Sequence, residues 1–439
     1  MVTRYKSCML AASACMFLFV GCASKNESAT SLKASTYDPD SAEKIQLYFY
    51  SYNENTQEKF DQDWGNIIRQ KFPNIEPIYT HTGKGTSIRE LITAGQPVDI
   101  IFDSIGFFYE DAVATGMNMD MSEYIKREKI DLNRFEPTLV DAMKQLSGGK
   151  MYGLPLTNNT MVMFYNQDLF NKFGVPYPRD GMTWEEAFAL GERLTRKESN
   201  TIYLGLAVSQ AHALRMNQFS LPFVDPQTDK PTIDDPNWKK VFETYVFNPA
   251  QSPLYKEFIV QNQNKVPFQN EFIKTQNLAM FGMVANMMSD PTLSSVNWDV
   301  VSMPVWKEKP GIGMQAYPNY ISVTSSSKQK DAAMAVIRYL VSDEVQKEKA
   351  RSGVIPALKS EEIRKEFGQA QSYKNKNLLG ALFTNSFAPI APKTVYDADV
   401  EAAYRKNVVN VILNQMDLNT MFREAEEQAA AKIAEKKKQ

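Results

Sequence analysis

Residues 44–104, KIQLYFYSYNENTQEKFDQDWGNIIRQKFPNIEPIYTHTGKGTSIRELITAGQPVDIIFDS, decide the fold of this 439-residue chain. Three short runs rich in β-branched and aromatic residues predict strands, and the two segments between them repeat apolar residues at helical spacing. The third run is almost continuously apolar, which is typical of a parallel strand covered on both faces. A β-α-β-α-β order predicts a parallel sheet with right-handed crossovers. The expected elements are strands 44–50, 75–79 and 98–102, and helices 60–72 and 86–94.

Polar and aromatic residues follow each of these predicted strands. In open α/β sheets, ligands bind at the carboxyl ends of the strands, so such residues are candidate ligand contacts. Two of them, Asn53 and Asp103, are equally suited to cap the following helix. The pair after the second strand could also lie in solvent. The candidates are Tyr52 and Asn53 after the first strand, His81 and Lys84 after the second, and Asp103 and Ser104 after the third.

The rest of the chain predicts a second α/β region. A glycine turn at 148–149 precedes an apolar stretch, and Thr183-Trp-Glu-Glu186 has the spacing of a capping box at a helix start. About 395 residues follow the N-terminal segment, which is more than one hydrophobic core serves, so two domains are expected. The further predicted elements are strands 161–165, 298–304 and 321–323, and helices 166–174, 331–340 and one from 419 onward.

The first 22 residues have the pattern of an export signal. Arg4 and Lys6 precede an apolar run at 9–20, and Gly21 stands before Cys22. The run has about 12 residues, too few for a membrane span of about 20. All three cysteines lie in this segment, so a processed chain would keep only Cys22, which excludes disulfides and cysteine-based zinc sites. Residues 22–43 are rich in small polar residues and predict a flexible tether.

Charge and motifs argue against several functions. The chain has 49 Lys and Arg against 51 Asp and Glu, with no basic block before the last few residues, which argues against nucleic acid as a partner. It has two histidines, His81 and His212, and no GxSxG or HExxH motif, so a catalytic triad or a zinc site has no support. The run 82–86 lacks the spacing of a phosphate-binding loop. A glycosidase pair is not excluded by the number of acids. We predict a protein without catalysis, cofactor or metal.

Four stretches together resemble the extracellular solute-binding proteins of ABC importers, in the carbohydrate-binding family that includes the maltose-binding protein. They are AGQPVDIIFDS at 94–104, GGKMYGLPLTNNTMVMFYNQDLFNKFGVPYPRDGMTWEEA at 148–187, NWDVVSMPVW at 297–306 and GVIPA at 353–357. The resemblance implies an α/β, two-lobed periplasmic-binding-protein fold of type II. Each lobe would be a mainly parallel sheet flanked by helices, and crossing hinge strands would join the lobes. The implied lobes are 44–156 with 304–346, and 157–303 with 347–439.

The N-terminal segment resembles a bacterial lipoprotein signal. The resemblance implies cleavage after residue 21 and lipidation of Cys22, although Phe19 stands where a smaller aliphatic residue is usual. We therefore expect a monomer, tethered by lipid on the outer face of the cytoplasmic membrane, that delivers a carbohydrate, an oligosaccharide in our interpretation, to an ABC permease. Three alternatives remain open: a binding subunit that presents sugar to a membrane kinase, a surface glycan-degrading enzyme, and a carrier of a polyol or phosphodiester.

The resemblance also adds candidate ligand contacts. Sugar hydroxyls need planar polar partners, and sugar C–H faces lie well on aromatic rings. The two asparagines of the first lobe crossing could instead form an Asx turn, and the aspartate at 290 could cap a helix. Trp64 and Trp184 are expected to be structural. The added candidates are Asn158, Asn159, Asp290, Trp306 and Tyr317.

Overall fold

The computed structural model describes residues 34–52 and 56–438. The signal segment, Cys22, the first part of the tether and Asn53 lie outside the described residues. The last part of the tether differs from the expected flexible linker. Thr36 donates hydrogen bonds from its amide and hydroxyl to Asp331, and the Tyr37 hydroxyl donates to Asn74 at 2.8 Å. The globular body therefore includes residues that the composition assigned to the linker.

Fifteen strands lie within the described residues, and the predicted strands are among them with shifts of one or two residues at their ends. They are β1 Ile45–Ser51, β2 Ile75–His81, β3 Ile100–Ser104, β4 Leu154–Asn158, β5 Met161–Asn166, β6 Arg196–Glu198, β7 Thr201–Val208, β8 Val224–Asp225, β9 Lys230–Pro231, β10 Leu278–Val284, β11 Trp298–Ser302, β12 Ile312–Gln315, β13 Asn319–Val323, β14 Ile355–Pro356 and β15 Ser386–Ala388.

The first large sheet has six strands in the order β14-β4-β13-β3-β1-β2. β1 pairs in parallel with β2 and with β3, as the β-α-β-α-β order predicts. β13 runs antiparallel to both β3 and β4, and β14 runs antiparallel to β4. The sheet is mixed because β4, β13 and β14 enter it through connections other than β-α-β crossovers.

The second large sheet has five strands in the order β11-β5-β10-β7-β6. Only β10 and β7 are paired in parallel among its described strands, whereas β5 runs antiparallel to both β10 and β11. The expectation of mainly parallel sheets is therefore wrong in this detail. Local sequence shows that a segment is a strand, but the direction of its partner depends on chain segments far away.

The helices cover the faces of both sheets. They are α1 Gln57–Phe60, α2 Asn66–Lys71, α3 Ile88–Thr93, α4 Ile105–Phe108, α5 Ser122–Arg127, α6 Pro137–Leu146, α7 Gln167–Phe173, α8 Trp184–Leu194, α9 Gln210–Arg215, α10 Pro236–Phe242, α11 Pro253–Gln261, α12 Gln269–Ile273, α13 Lys330–Leu340, α14 Asp343–Arg351, α15 Glu361–Lys365, α16 Leu378–Phe383, α17 Asp397–Arg405, α18 Val408–Ile412 and α19 Leu418–Lys436.

Local sequence accounts for several of these helices. The predicted capping box before α8 is confirmed: the Thr183 hydroxyl accepts from the Glu186 amide, and the Glu186 carboxylate accepts from the Thr183 amide. Two helices that follow strands of the first sheet contain one π turn each, at Asp61–Gly65 and Tyr109–Val113. Such turns are rare and concentrate at functional sites.

Buried apolar side chains form two separate clusters. The first core lies on the first sheet and includes Leu47 and Ile100, and the second core lies on the second sheet and includes Phe164 and Met280. Burial on this scale contributes roughly 25 cal/mol per Å² of apolar surface, so each core is a large source of stability. The chain has two cores, as its length predicts.

The points at which the chain passes from one core to the other differ in part from those expected. The first passage between the cores follows Leu156. The expected boundaries at 303/304 and 346/347 do not match such a passage, because residues 303–314 stay with the second core and Val345 and Ala350 of α14 pack in the first. Two border residues, Ile355 and Ile390, pack with the core opposite to that of their neighbours. The crossings fall between Leu156 and Met161, between Met314 and Ala316, and between Ile363 and Phe367.

Candidate functional site

A cavity of about 510 Å³ lies between the two cores. The first core contributes the aromatic side chains Phe60, Trp64 and Tyr79 to its lining, and the second contributes Ala285 at the end of β10. A pocket of this volume is in the range that proteins use for small ligands. Because its walls come from both cores, an occupant would contact both halves of the molecule.

The aromatic wall forms because strand ends and one helix meet there. Phe60 stacks on Tyr79 of β2 with ring centroids 4.8 Å apart, and Trp64 meets Phe102 of β3 edge to face at 6.0 Å. Trp64 lies in the π turn, where a side chain at Gly65 would clash with the Asp61 carboxylate. Lys349 of α14 lies 4.6 Å from the Trp64 ring centroid and lines the same cavity. These rings offer flat apolar surface of the kind on which sugar faces pack.

Amide side chains line the cavity where the chain first crosses between the cores. Asn158, at the end of β4, accepts a hydrogen bond from the Asn159 amide, and Asn159 in turn accepts one from the Thr160 amide. Each bond runs to the next residue, whereas in an Asx turn it runs two residues on, and both side chains also line the cavity. Asn286 and Ser289 follow β10 on the opposite side. The cavity thus combines aromatic rings and amide groups with the charged side chains of Lys59, Asp63 and Lys349.

Asp103 was predicted to contact the ligand, but its side chain does not reach the cleft. Its side chain is 0% exposed, and its Oδ1 accepts from the Ser51 hydroxyl at 3.0 Å and the Tyr52 amide at 2.6 Å. Asp111, from the second π turn, is close enough to interact electrostatically with this carboxyl. Burial and the nearby carboxyl raise the pKa of Asp103 well above its usual range, and burial raises that of Asp111 to about 6. Asp103 therefore holds the end of β1 in place.

Tyr52, whose amide donates to Asp103, is a surface residue of this region. It is 40% exposed, and its ring stacks on Phe107 of α4 with centroids 3.6 Å apart and planes within 8°. The two rings form a flat platform beside the carboxyl ends of β1 and β3. Tyr52 does not line the cavity of 510 Å³, and its role in ligand contact stays a prediction.

Tyr317 lies between the cores, as a ligand contact would. Its ring packs against both apolar clusters, and its amide donates to the Asn159 carbonyl at 2.8 Å. The Tyr317 hydroxyl approaches Gly106 so closely that a Cβ there would clash with it. Its ring centroid lies 5.7 Å from the Arg215 guanidinium of α9. Tyr317 thus links the first sheet to a charged region of the second half.

This charged region surrounds Glu401 of α17. Glu401 is 3% exposed and accepts from Arg215 at 2.8 and 2.9 Å, and Arg405 lies 3.3 Å from its other oxygen. Burial, with Arg215 and Arg405 close by, lowers the pKa of His212 to about 4. The two remaining charges are Lys393 and Asp397, which line a small cavity with Arg215 and Tyr317.

The other predicted residues lie outside these cavities. His81 is half-buried, with its Nδ1 2.7 Å from the Thr82 carbonyl, and Lys84 is exposed. Asp290 caps a short helical turn by accepting from the Thr292 amide and hydroxyl, which is the alternative role that its position allowed. Trp306 is wrong as a ligand contact: it is 6% exposed and packs against Phe219 and Tyr245 in the second core. Ser104 ends β3 and lines none of the cavities described.

Several cavity residues were not predicted from the sequence. Trp64 shares a helical apolar stripe with Phe60, and that spacing is equally typical of a core helix. Lys393 had a usable signal, since it is the one charge in the stretch FAPIAPKTV at 387–395. Among the residues that the structure describes, no three His, Cys, Asp or Glu side chains are grouped so as to hold a metal ion. Within the same residues, the search for membrane spans finds no helix with the length and apolarity that crossing requires.

Comparison with known proteins gives consistent results. The family model described as bacterial extracellular solute-binding protein matches residues 51–347. A sugar transporter from Rhizobium etli in an open conformation is 18% identical with a TM-score of 0.69, over 88% of this chain and 99% of that one. The sugar-binding protein MalE from Xanthomonas citri is 17% identical with a TM-score of 0.67, over 90% and 98%. An ABC substrate-binding protein from Listeria monocytogenes, in complex with cycloalternan, is 16% identical with a TM-score of 0.68, over 89% and 100%. The two-lobed α/β fold that the sequence predicted is confirmed.

Proposed function

The chain belongs to the family of bacterial extracellular solute-binding proteins, and from this premise we propose that it captures a carbohydrate, an oligosaccharide, for the permease of an ABC importer. The observation that carries the proposal is the cavity between the cores, which joins the rings of Phe60, Trp64 and Tyr79 to the amides of Asn158 and Asn159. Rings and amides of this kind match the C–H faces and hydroxyls of a sugar. The sugar ligands of several similar structures agree with this chemistry.

The mechanism that we propose is binding followed by closure of the lobes. The three crossings between the cores would serve as the hinge. A ligand that contacts both lobes favours the closed state by the difference in its affinity for the two states. We propose no bond-breaking chemistry, so the sugar would leave unchanged. Turnover assays on oligosaccharides should therefore yield no product, and release of shorter sugars would contradict the proposal.

We also propose that the protein is held on the outer face of the cytoplasmic membrane by lipid on Cys22. The support is the pattern of residues 1–22 and the extracellular character of the family. One acyl chain gives only reversible anchoring, so stable attachment needs the several chains of a mature lipoprotein. A Cys22→Ser variant should be released into the soluble fraction without lipid label. Membrane-bound, labelled variant protein would refute the anchor.

The binding function is tested by a thermal-shift panel of sugars, followed by calorimetry on those that stabilise the protein. A ligand at 100 times its Kd adds about 2.7 kcal/mol to the free energy of unfolding, which such a scan detects. Polyols and phosphodiesters in the same panel test other solute classes. The carbohydrate proposal fails if only these non-sugar solutes stabilise the protein. Size-exclusion chromatography with light scattering tests the monomeric state that we propose.

A further inference from the structure

Two further cavities between the halves of the molecule are both lined by Lys393. One, of about 580 Å³, is lined by Ile105 and Tyr109, which follow β3, and by Tyr396, which packs against the second core. The other, of about 40 Å³, is lined by Arg215 and Tyr317. A ligand group in either space would therefore meet the Lys393 ammonium.

Lys393 is a buried cation without an ion-pair partner among the described residues. It is 8% exposed, and its ammonium forms no ion pair with a carboxylate of residues 34–52 or 56–438. Burial lowers its pKa, and the charges of Asp397 and Glu401 offset part of this effect. A buried charge that is neither paired nor hydrogen-bonded costs free energy, so lysines are seldom fully buried alone. A group from outside the chain that pairs with this ammonium would remove the cost.

The charges around Lys393 leave an excess of positive charge. Arg215 and Arg405 share the single carboxylate of Glu401. Asp397 has one oxygen occupied by the Thr394 amide and hydroxyl, and burial raises its pKa, which weakens its negative charge. Asp229 also lines the larger cavity, but its carboxylate pairs with Lys437 at 2.8 Å. Apart from that pair, three cationic side chains, Arg215, Lys393 and Arg405, face the two carboxyl groups of Asp397 and Glu401. This balance favours an anion over a neutral or cationic group.

We propose that the bound carbohydrate carries an anionic group, a carboxylate or a sulfate ester, and that Lys393 binds this group with the help of Arg215. The inference rests on the proposed carbohydrate-binding function and narrows its ligand class. The rings and amides of the cavity of 510 Å³ would hold neutral sugar units, and Lys393 would hold the acidic one. Hydrogen bonds between charged partners are about twice as strong as neutral ones, so the acidic unit would dominate selectivity.

The test uses matched pairs of sugars that differ only in charge. Digalacturonate is compared with its methyl ester, and a sulfated chondroitin disaccharide with the unsulfated form, by calorimetry on the full processed chain. We expect the acidic member of at least one pair to bind about 10-fold or more tightly than its neutral match, from the usual strength of a charged hydrogen bond. The two pairs distinguish a carboxylate from a sulfate.

Variants test the assignment to Lys393. Lys393→Met should abolish the preference for the acidic sugar while changing affinity for its neutral match less than about 3-fold, and Lys393→Arg should retain part of it. The matched control is Lys256→Met, at a lysine that contacts Asn414. It should change neither the preference for the acidic sugar nor the affinity for the neutral one. Thermal midpoints without ligand verify that each variant is folded.

Two results would overturn the inference. If neutral sugars bind as tightly as their acidic matches, the proposed carbohydrate binding stands, but the inference that the sugar carries an anionic group is refuted. An equal loss of affinity for both members of a pair in Lys393→Met would show that Lys393 donates to hydroxyls instead. If no carbohydrate in this set or in the wider panel binds, the proposed function fails, and the narrower inference fails with it.

Discussion

Two buried carboxylates beside the cleft, Asp103 in the first half and Glu401 in the second, are accommodated in opposite ways. Asp103 lies beside a second carboxyl, Asp111, and burial together with this neighbour raises the pKa of Asp103. Glu401 lies between two guanidinium groups, which supply opposite charge on both of its oxygens. Two carboxyl groups that are equally buried can therefore differ in what offsets the cost of burial. Burial favours the protonated form of the carboxyl group on one side of the cleft. On the other side, positively charged partners compensate the buried carboxylate.

The largest expected effect comes from neutralising Glu401. Glu401→Gln leaves Arg215 and Arg405 without their shared carboxylate. Because both arginines are about one third exposed, we expect a loss of about 2–3 kcal/mol in the free energy of unfolding, below the full cost for a buried pair. Urea titration measures it. Glu427→Gln breaks an exposed pair with Arg423 and should change stability by less than about 0.5 kcal/mol. Equal effects in the two variants would contradict the comparison.

The second prediction concerns the pH dependence of the Asp103–Asp111 pair. A carboxyl with a raised pKa binds its proton more tightly in the folded state, so its stabilising contribution is complete below about pH 4 and is lost as pH rises through the folded pKa. For Asp111 that value is about 6. Asp103→Asn removes one carboxyl of the pair. We expect the variant to exceed the wild type by about 1–2 kcal/mol at pH 8, with the difference fading by pH 4.

Urea titrations at several pH values measure this difference. Asp141→Asn, an exposed position on α6, is the matched control and should follow the wild type at every pH. A stability difference for Asp103→Asn that does not change with pH would contradict the raised pKa of this pair.

The third prediction concerns the exposed ring of Tyr52, whose backbone is held by Asp103. The Asp103 carboxylate accepts from the Tyr52 amide, and the Tyr52 ring stacks on Phe107. If this platform binds sugar, Tyr52→Ala should weaken the affinity by about 1 kcal/mol, roughly 5-fold, which is typical of one aromatic contact. Calorimetry with a confirmed ligand measures it. Tyr177→Ala, an exposed tyrosine that contacts Asn171, should leave affinity unchanged. An unchanged Kd for Tyr52→Ala would exclude the platform from the site.

The smallest prediction separates the two partners of Glu401. Arg405 approaches one oxygen at 3.3 Å, whereas Arg215 contacts the other through two nitrogens at 2.8 and 2.9 Å. Arg405→Met should cost about 0.5 kcal/mol, because Arg215 still compensates the carboxylate. Arg215→Met should cost more. Urea titration of both variants decides the order, and the reverse order would mean that Arg405 is the main counter-charge.

Sequence predicted much of the fold because the strands and helices around residues 44–104 follow local patterns. It did not predict that β13 and β4 run antiparallel, or that α14 packs in the first core, since both depend on distant partners. In the site, Asn158 and Asn159 line the cavity and Tyr317 lies between the cores, and their contacts with a ligand stay predictions. Asp103 and Trp306 are buried instead, because a polar or aromatic residue after a strand can point to the cleft or into the core. Asn53 remains a prediction.

The π turn at Asp61–Gly65 has a consequence for how the chain tolerates changes of length. A turn of this kind holds one more residue than an α turn, and one residue rotates a helix by roughly 100°. Trp64 and Ile68, four residues apart, both belong to the first core, and Trp64 also lines the cavity. Loss of one residue there would re-aim the aromatic side chains and leave the pairing of β1 with β2 in register. The helix is thus a place where evolution could redirect a binding surface by insertion or deletion without rebuilding the sheet beneath it.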